Sequence, residues 1–184
     1  KSLIGPTTKL RWSYAASKMI DEFIALSLYE EKKVSPIIVR LFNIIGPNQL
    51  SKFGMVVPRF IEAAINDEDI LIHGDGSQSR SFTWVDDVVT YLIKLAELKA
   101  YGEIFNIGQT EEITIKELAE LIIAKSNSNS KIIYKSHEEV FGKSFEDPNR
   151  RTPGIEKIVE FTGIKPSKNI EFMVENIINY KQNN

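Results

Sequence analysis

The sequence predicts an α/β fold, and three observations carry that prediction. Short β-branched apolar runs at residues 37–42, 70–72, 104–107 and 131–134 alternate with segments whose apolar residues recur every three or four positions. The run at 37–42 is apolar nearly throughout, as in a parallel strand covered on both faces. No internal repeat and no second domain interrupts the alternation, so strands and helices belong to one layered unit.

Taken in order, residues 13–32 read as a helix. Tyr14, Ile20, Phe23, Ile24 and Leu28 recur at helical steps without Gly or Pro, until Ser35-Pro36 breaks the pattern. The strand at 37–42 closes on Asn43 and the turn residues Gly46-Pro47. Pro58 suits the first turn of a short helix to residue 65. The strand at 70–72 runs into the turn Gly74-Asp75-Gly76-Ser77, and residues 82–85 form a short extended piece. Asp86 is the expected N-cap of a helix to about residue 98. The strand at 104–107 ends at Gly108. Thr114 and Glu117 have capping-box spacing and open a helix to Ser126. A polar tract at 126–130 precedes the strand at 131–134. Residues 136–151 read as a long loop, and two helices follow at about 155–161 and 170–180. Phe82 and Trp84 are expected to pack in the core, while Asp86, Asn106 and Thr114 are read as caps or turn residues.

Composition narrows the function. The 184 residues are 42% hydrophobic and 26% charged, enough apolar material for one proper core. With 23 basic against 25 acidic residues the formal charge is −2, no footprint for nucleic acid or an anionic membrane. The absence of cysteine excludes disulfides, thiolate zinc sites and cysteine nucleophiles, and a reducing compartment is permitted. Two histidines, His73 and His137, make a multi-histidine metal site unexpected. No apolar run approaches the roughly 18 residues of a membrane span, and the start does not read as a signal peptide.

Tyr14 and Lys18 stand four residues apart, one helical turn apart on one face. A phenol of pKa about 10 is a poor base at neutral pH, but a neighbouring ammonium favours the phenolate and lets the oxygen take a proton from an alcohol. The pair alone equally describes a half-buried tyrosine beside a solvated lysine.

The surrounding motifs decide between these. Arg11-Trp12-Ser13-Tyr14-Ala15-Ala16-Ser17-Lys18 resembles the YxxxK segment of extended short-chain dehydrogenase/reductases. Arg40-Leu41-Phe42-Asn43-Ile44-Ile45-Gly46-Pro47 and the stretch from Gly74 to Val88, with its Gln78, Arg80, Phe82 and Asp86-Asp87, resemble segments of the nucleotide-sugar epimerases and dehydratases in that superfamily. Phe105-Asn106-Ile107-Gly108 and Asp147-Pro148-Asn149-Arg150-Arg151-Thr152-Pro153 follow in the family order. The resemblance implies the C-terminal part of a Rossmann-like, NAD-dependent, cytoplasmic enzyme, with its small substrate-binding region. It makes Tyr14 the acid/base that exchanges a proton with a sugar hydroxyl, and Lys18 the residue that tunes it and holds the nicotinamide ribose. Asn43, Arg80 and Arg151 are matched to contacts with the substrate diphosphate, and Val56, Leu71 and His73 to the nucleoside pocket. Other roles are open for some of these: an Asx-type turn at Asn43, an exposed loop position for Arg80, a surface strand end for His73. Arg150 is expected to face solvent.

A UDP-hexose 4-epimerase passing through a 4-keto sugar is the first expectation. UDP-glucuronate decarboxylase, dTDP-glucose 4,6-dehydratase and a non-catalytic nucleotide-sugar-binding protein are the alternatives. Gly154 stands where many relatives carry Asp, a departure from the decarboxylase pattern. None of the 10 glycines forms the GxGxxG turn that cradles a dinucleotide pyrophosphate, and the Ser/Thr partner of the tyrosine is expected upstream of Lys1. The chain is therefore expected to be a fragment, inactive and poorly stable by itself, of a protein that dimerises through the Tyr-Lys helix at Ile20, Phe23 and Leu26.

Overall fold

The computed structural model describes residues 5–9, 12–53, 55–141 and 149–183, so Arg11, Asp147 and Pro148 of the motifs above lie outside the described residues. Helix α1, Trp12–Glu30, runs 19 residues without Gly or Pro. It stops where Lys32 turns into the left-handed region (φ 58°) and the Lys33 N–H donates back to the Leu28 carbonyl at 2.9 Å. Strand β1 is Ile38–Leu41 and β2 is Ile44–Ile45. A 3₁₀ turn at Ser51–Phe53 leads into α2, Val56–Ile65, and β3, Ile70–His73, follows. Then come β4, Ser79–Arg80, β5, Thr83–Trp84, and α3, Val85–Glu97. The remaining elements are β6, Ile104–Ile107; β7, Ile113–Thr114; α4, Ile115–Ser126; β8, Ile132–Lys135; α5, His137–Phe141; β9, Arg150–Arg151; α6, Glu156–Thr162; and α7, Ile170–Gln182.

Among the described residues the strands form four small sheets. β1 pairs with β6, β2 with β5 and β3 with β8, all parallel, each pair connected through helices as an α/β fold requires. In the fourth sheet β4 lies between β7, antiparallel, and β9, parallel.

Two apolar clusters hold these elements. In the larger, Phe60 and Ile61 of α2, Ile70 and Ile72 of β3, Leu118 and Ile122 of α4, and Met173, Val174 and Ile177 of α7 pack together. Phe82 and Trp84 join them, with Trp84 edge-on to Phe172 at 5.7 Å between ring centroids. The second cluster packs Val88, Tyr91 and Leu95 of α3 against Phe105 and Ile107 of β6 and Ile158 of α6. Each fully buried large side chain contributes about 1.5–3 kcal/mol.

The ends of α4 and α7 follow from local chemistry. Thr114 Oγ1 accepts from the Glu117 N–H while Glu117 accepts from the Thr114 N–H, a complete capping box, and Asn127 closes α4 at φ 52°. Asn169 Oδ1 caps α7 by accepting from the Phe172 N–H.

Three expectations are corrected. The strand at 37–42 is not covered on both faces. Its residues are half-buried and Leu41 is exposed, because among the described residues β1 has β6 as its one strand neighbour. Asp86 does not cap α3. Trp84 holds the N-cap position, and Asp86 lies inside the first turn, where its carboxylate accepts from Trp84 Nε1 at 3.0 Å and suits the helix dipole. Residues 136–151 are not wholly loop, since they contain α5 and β9. Among the described residues no helix is long and apolar enough to cross a membrane.

Candidate active site at the carboxyl end of strand β1

Beyond β1 the chain turns sharply at Asn43, whose φ of 36° lies in the region that Asn tolerates better than most residues. Its amide Nδ2 donates to the Ser81 carbonyl at 2.9 Å, and its own carbonyl accepts from the Thr83 N–H at 3.1 Å. Thr83 Oγ1 donates to the Phe42 carbonyl and accepts from the Gln109 N–H, each at 3.0 Å. This network clamps the end of β1 to the segment that carries Arg80.

Arg80 ends β4 and stands opposite Arg151 in the parallel β4–β9 register. Residues opposite one another in neighbouring strands share a face about 4.8 Å apart, so the two guanidinium stems rise side by side. Arg80 Nη1 donates to the Ser79 carbonyl at 2.6 Å and reaches the Asn149 carbonyl at 3.5 Å. The Arg151 guanidinium lies 5.9 Å from the Phe42 ring centroid, a cation–π distance. Gly108 permits this approach: a Cβ there would stand 2.5 Å from Pro153 Cγ and 3.0 Å from Phe42 Cβ. The structure therefore gathers Asn43, Arg80 and Arg151 around the end of β1, where open α/β sheets bind ligands.

A second group forms between α2 and β3. Val56 opens α2 and is half-buried, as are Leu71 and His73 in β3. Arg59, one turn on from Val56, bridges them: its Nη2 donates to the Leu71 carbonyl at 3.1 Å and its Nη1 lies 3.5 Å from His73 Nε2. Burial holds the Arg59 guanidinium below the usual arginine range. Its Nε is buried and has no hydrogen-bond partner among the described residues.

Tyr14 and Lys18 lie on α1. Tyr14 is 70% exposed, and the Lys18 ammonium lies 6.0 Å from the phenol ring centroid. Lys18 Nζ donates to Asp21 Oδ2 at 2.9 Å, and that contact first of all holds the ammonium above its ordinary range. The helix is anchored by Glu22, which accepts two hydrogen bonds from Arg40 of β1 at 2.7 and 2.6 Å. A phenol and an ammonium on one accessible face fit the hydroxyl-rich ribose end of a dinucleotide. The chain offers no glycine-rich turn for the pyrophosphate.

Sequence reasoning missed Arg59, Asp21 and Glu22. Arg59 was detectable by its three-residue spacing from Val56. Glu22 and Arg40 are 18 residues apart, and no local pattern links them. Among the described residues no cluster of His, Cys, Asp and Glu could hold a metal ion.

The architecture is α/β, with three parallel two-stranded sheets and one mixed three-stranded sheet among the described residues. The chain belongs to the NAD dependent epimerase/dehydratase family, whose family model matches residues 1–108. It is 40% identical over 166 residues to a UDP-N-acetyl-alpha-D-glucosaminuronate decarboxylase of Bacillus cytotoxicus, which covers 90% of this chain and 51% of that protein. It is 33% identical over 157 residues to UDP-glucuronic acid decarboxylase 4 of Arabidopsis thaliana, covering 85% of this chain and 34% of that one. Among solved structures, a UDP-glucose 4-epimerase of Thermotoga maritima with UDP-glucose superposes at a TM-score of 0.83 and 26% identity, covering 92% of this chain and 53% of that one. The chain spans about half the length, or less, of the relatives it matches.

Proposed function

We propose that the complete protein is an NAD-dependent enzyme acting on a UDP-linked hexuronate, and that it removes the carboxyl group through a 4-keto sugar. The single observation that carries this reading is the 40% identity, across nearly all of these residues, to a UDP-sugar decarboxylase. The adjacent arginines Arg80 and Arg151 support it, because planar guanidinium groups suit paired phosphates. In this reading Asn43, Arg80 and Arg151 hold the diphosphate, and Val56, Leu71 and His73 line the nucleoside pocket.

Tyr14 and Lys18 are assigned the ribose end of the cofactor, whose chemistry when bound is the redox change at the sugar carbon. Tyr14 takes the proton of the 4-hydroxyl as general base. Lys18 Nζ, 6.0 Å from the phenol ring centroid, supplies positive charge on the same helix face as that proton moves. A ketone at that carbon places the carboxylate in a β-keto position. The C–C bond to the carboxyl breaks, carbon dioxide leaves, and the electron pair passes into the ketone as an enolate, whose carbon takes a proton from water to restore the ketone. Tyr14 returns its proton as the ketone is reduced.

A 4-epimerase is the second reading. It is favoured by the structural match to a UDP-glucose 4-epimerase. The complete protein with UDP-glucuronate, UDP-N-acetylglucosaminuronate and UDP-glucose separates the two. Release of carbon dioxide with a UDP-pentose product supports the decarboxylase. An epimer formed with all carbons retained overturns it. We further propose a cytoplasmic homodimer in which α1 of one copy meets α1 of the other. Ile20 and Phe23, 54% and 67% exposed, are placed for that contact, and a monomer in sedimentation at high concentration contradicts it.

A further inference from the structure

On the opposite side of β4 from the arginine pair sits a carboxylate that the reading above does not use. Glu112, just before β7, accepts hydrogen bonds from Arg150 Nε at 2.8 and 3.1 Å and from Arg150 Nη2 at 2.6 Å. It accepts a further one from Ser79 Oγ at 2.8 Å. Its side chain is 24% exposed, whereas that of Arg150 is 73% exposed. The ladder explains the geometry. Ser79 stands opposite Arg150 and Arg80 opposite Arg151, and successive residues of a strand face opposite sides. A carboxylate that grips Ser79 and Arg150 on one face therefore sets the rotation of both strands and sends Arg80 and Arg151 to the other.

Glu112 is the carboxylate that holds β9 from this face. The strand is two residues long with both side chains exposed, and among the described residues its other ties include the Ser79 N–H to Asn149 carbonyl bond, the Arg151–Phe42 contact and the buried Pro153 that follows it. Three arginines, Arg80, Arg150 and Arg151, also crowd two neighbouring strands, and their mutual repulsion would push β9 away. Glu112 cancels one of these charges through a two-pronged, charge-assisted contact. The Arg150 guanidinium beside it, with Ser79, holds the Glu112 carboxyl down to about 2, so the clamp stays ionised at any working pH.

We propose that Glu112 is a positioning residue for the nucleotide sugar: by fixing Arg150 it locks β9 onto β4 and sets Arg151 beside Arg80 for the diphosphate. The inference rests on the reading that Arg80 and Arg151 bind that diphosphate, and the experiment separates the two. In the complete protein, UDP and uridine binding are measured by titration calorimetry for E112Q, R150Q, the charge-exchanged double variant E112R/R150E, and R80M.

UDP affinity is expected to fall about tenfold in E112Q and R150Q, as loss of a charged hydrogen-bond pair implies. KM should rise with kcat nearly unchanged, uridine binding should be unaltered, and the double variant should recover most of the loss. If R80M weakens UDP binding while E112Q and R150Q bind it like the wild type, the clamp is overturned and the diphosphate reading stands. If R80M itself leaves UDP affinity unchanged, the diphosphate reading fails first. Equal loss of UDP and uridine binding in E112Q and R150Q, with no recovery in the double variant, reports general damage to the fold and also overturns the proposal.

Discussion

Tyr91 shows how one buried group ties stability to pH. Its ring is fully buried in the second cluster and its hydroxyl donates to the Ile164 carbonyl at 3.0 Å. Desolvation, and after it the Asp87 charge, push the phenol up to about 12. Because the folded value lies above the unfolded one of about 10, the neutral hydroxyl's contribution is complete below pH 10 and disappears as pH rises toward 12. Tyr91→Phe should cost about 1 kcal/mol at pH 7 and flatten the alkaline loss of stability, which denaturant titrations at pH 7, 10 and 11 measure. Asn43→Ala removes the donor to Ser81 and puts a methyl side chain at positive φ, so about 1–2 kcal/mol is expected from the same titration. The residues Asn43, Arg80 and Arg151 were legible in the sequence because each lies in a contiguous motif. Glu112 was not: its partner is 38 residues away, and only the register of two short strands brings them together.

At the level of elements, what could be read in advance depended on length. The long helices and the four-residue strands show a period, so α4 and β6 were expected nearly residue for residue. The two-residue strands β2, β4, β5, β7 and β9 carry no period at all, and they exist because their neighbours offer backbone partners. Asp86 has the right residue type for an N-cap, but pairing with the Trp84 indole and burial of Trp84 moved the helix start ahead of it. The capping box of α4 should be worth about 1 kcal/mol, so Thr114→Ala is expected to lower stability by that amount. The same change acts at the antiparallel partner of Ser79, so UDP affinity measured alongside shows whether the loss reaches the arginine pair.

At the scale of the whole molecule, Asn43, Arg80 and Arg151 lie around the end of β1, and Tyr14 and Lys18 lie on an accessible face of α1. Helix α1 has no buried residue and carries Tyr14, Ile20, Phe23 and Ile24 in the open. The 184 residues alone are expected to bind no NAD at micromolar concentration, since no glycine-rich turn is present, and calorimetry on this chain checks it. The most direct test of the central claim is turnover of a UDP-hexuronate by the complete protein carrying Tyr14→Phe. The account predicts a rate lower by about 10²–10⁴-fold, the usual contribution of a positioned acid/base, with UDP-sugar affinity held within a factor of about two, well under 1 kcal/mol. Turnover at the wild-type rate would contradict it.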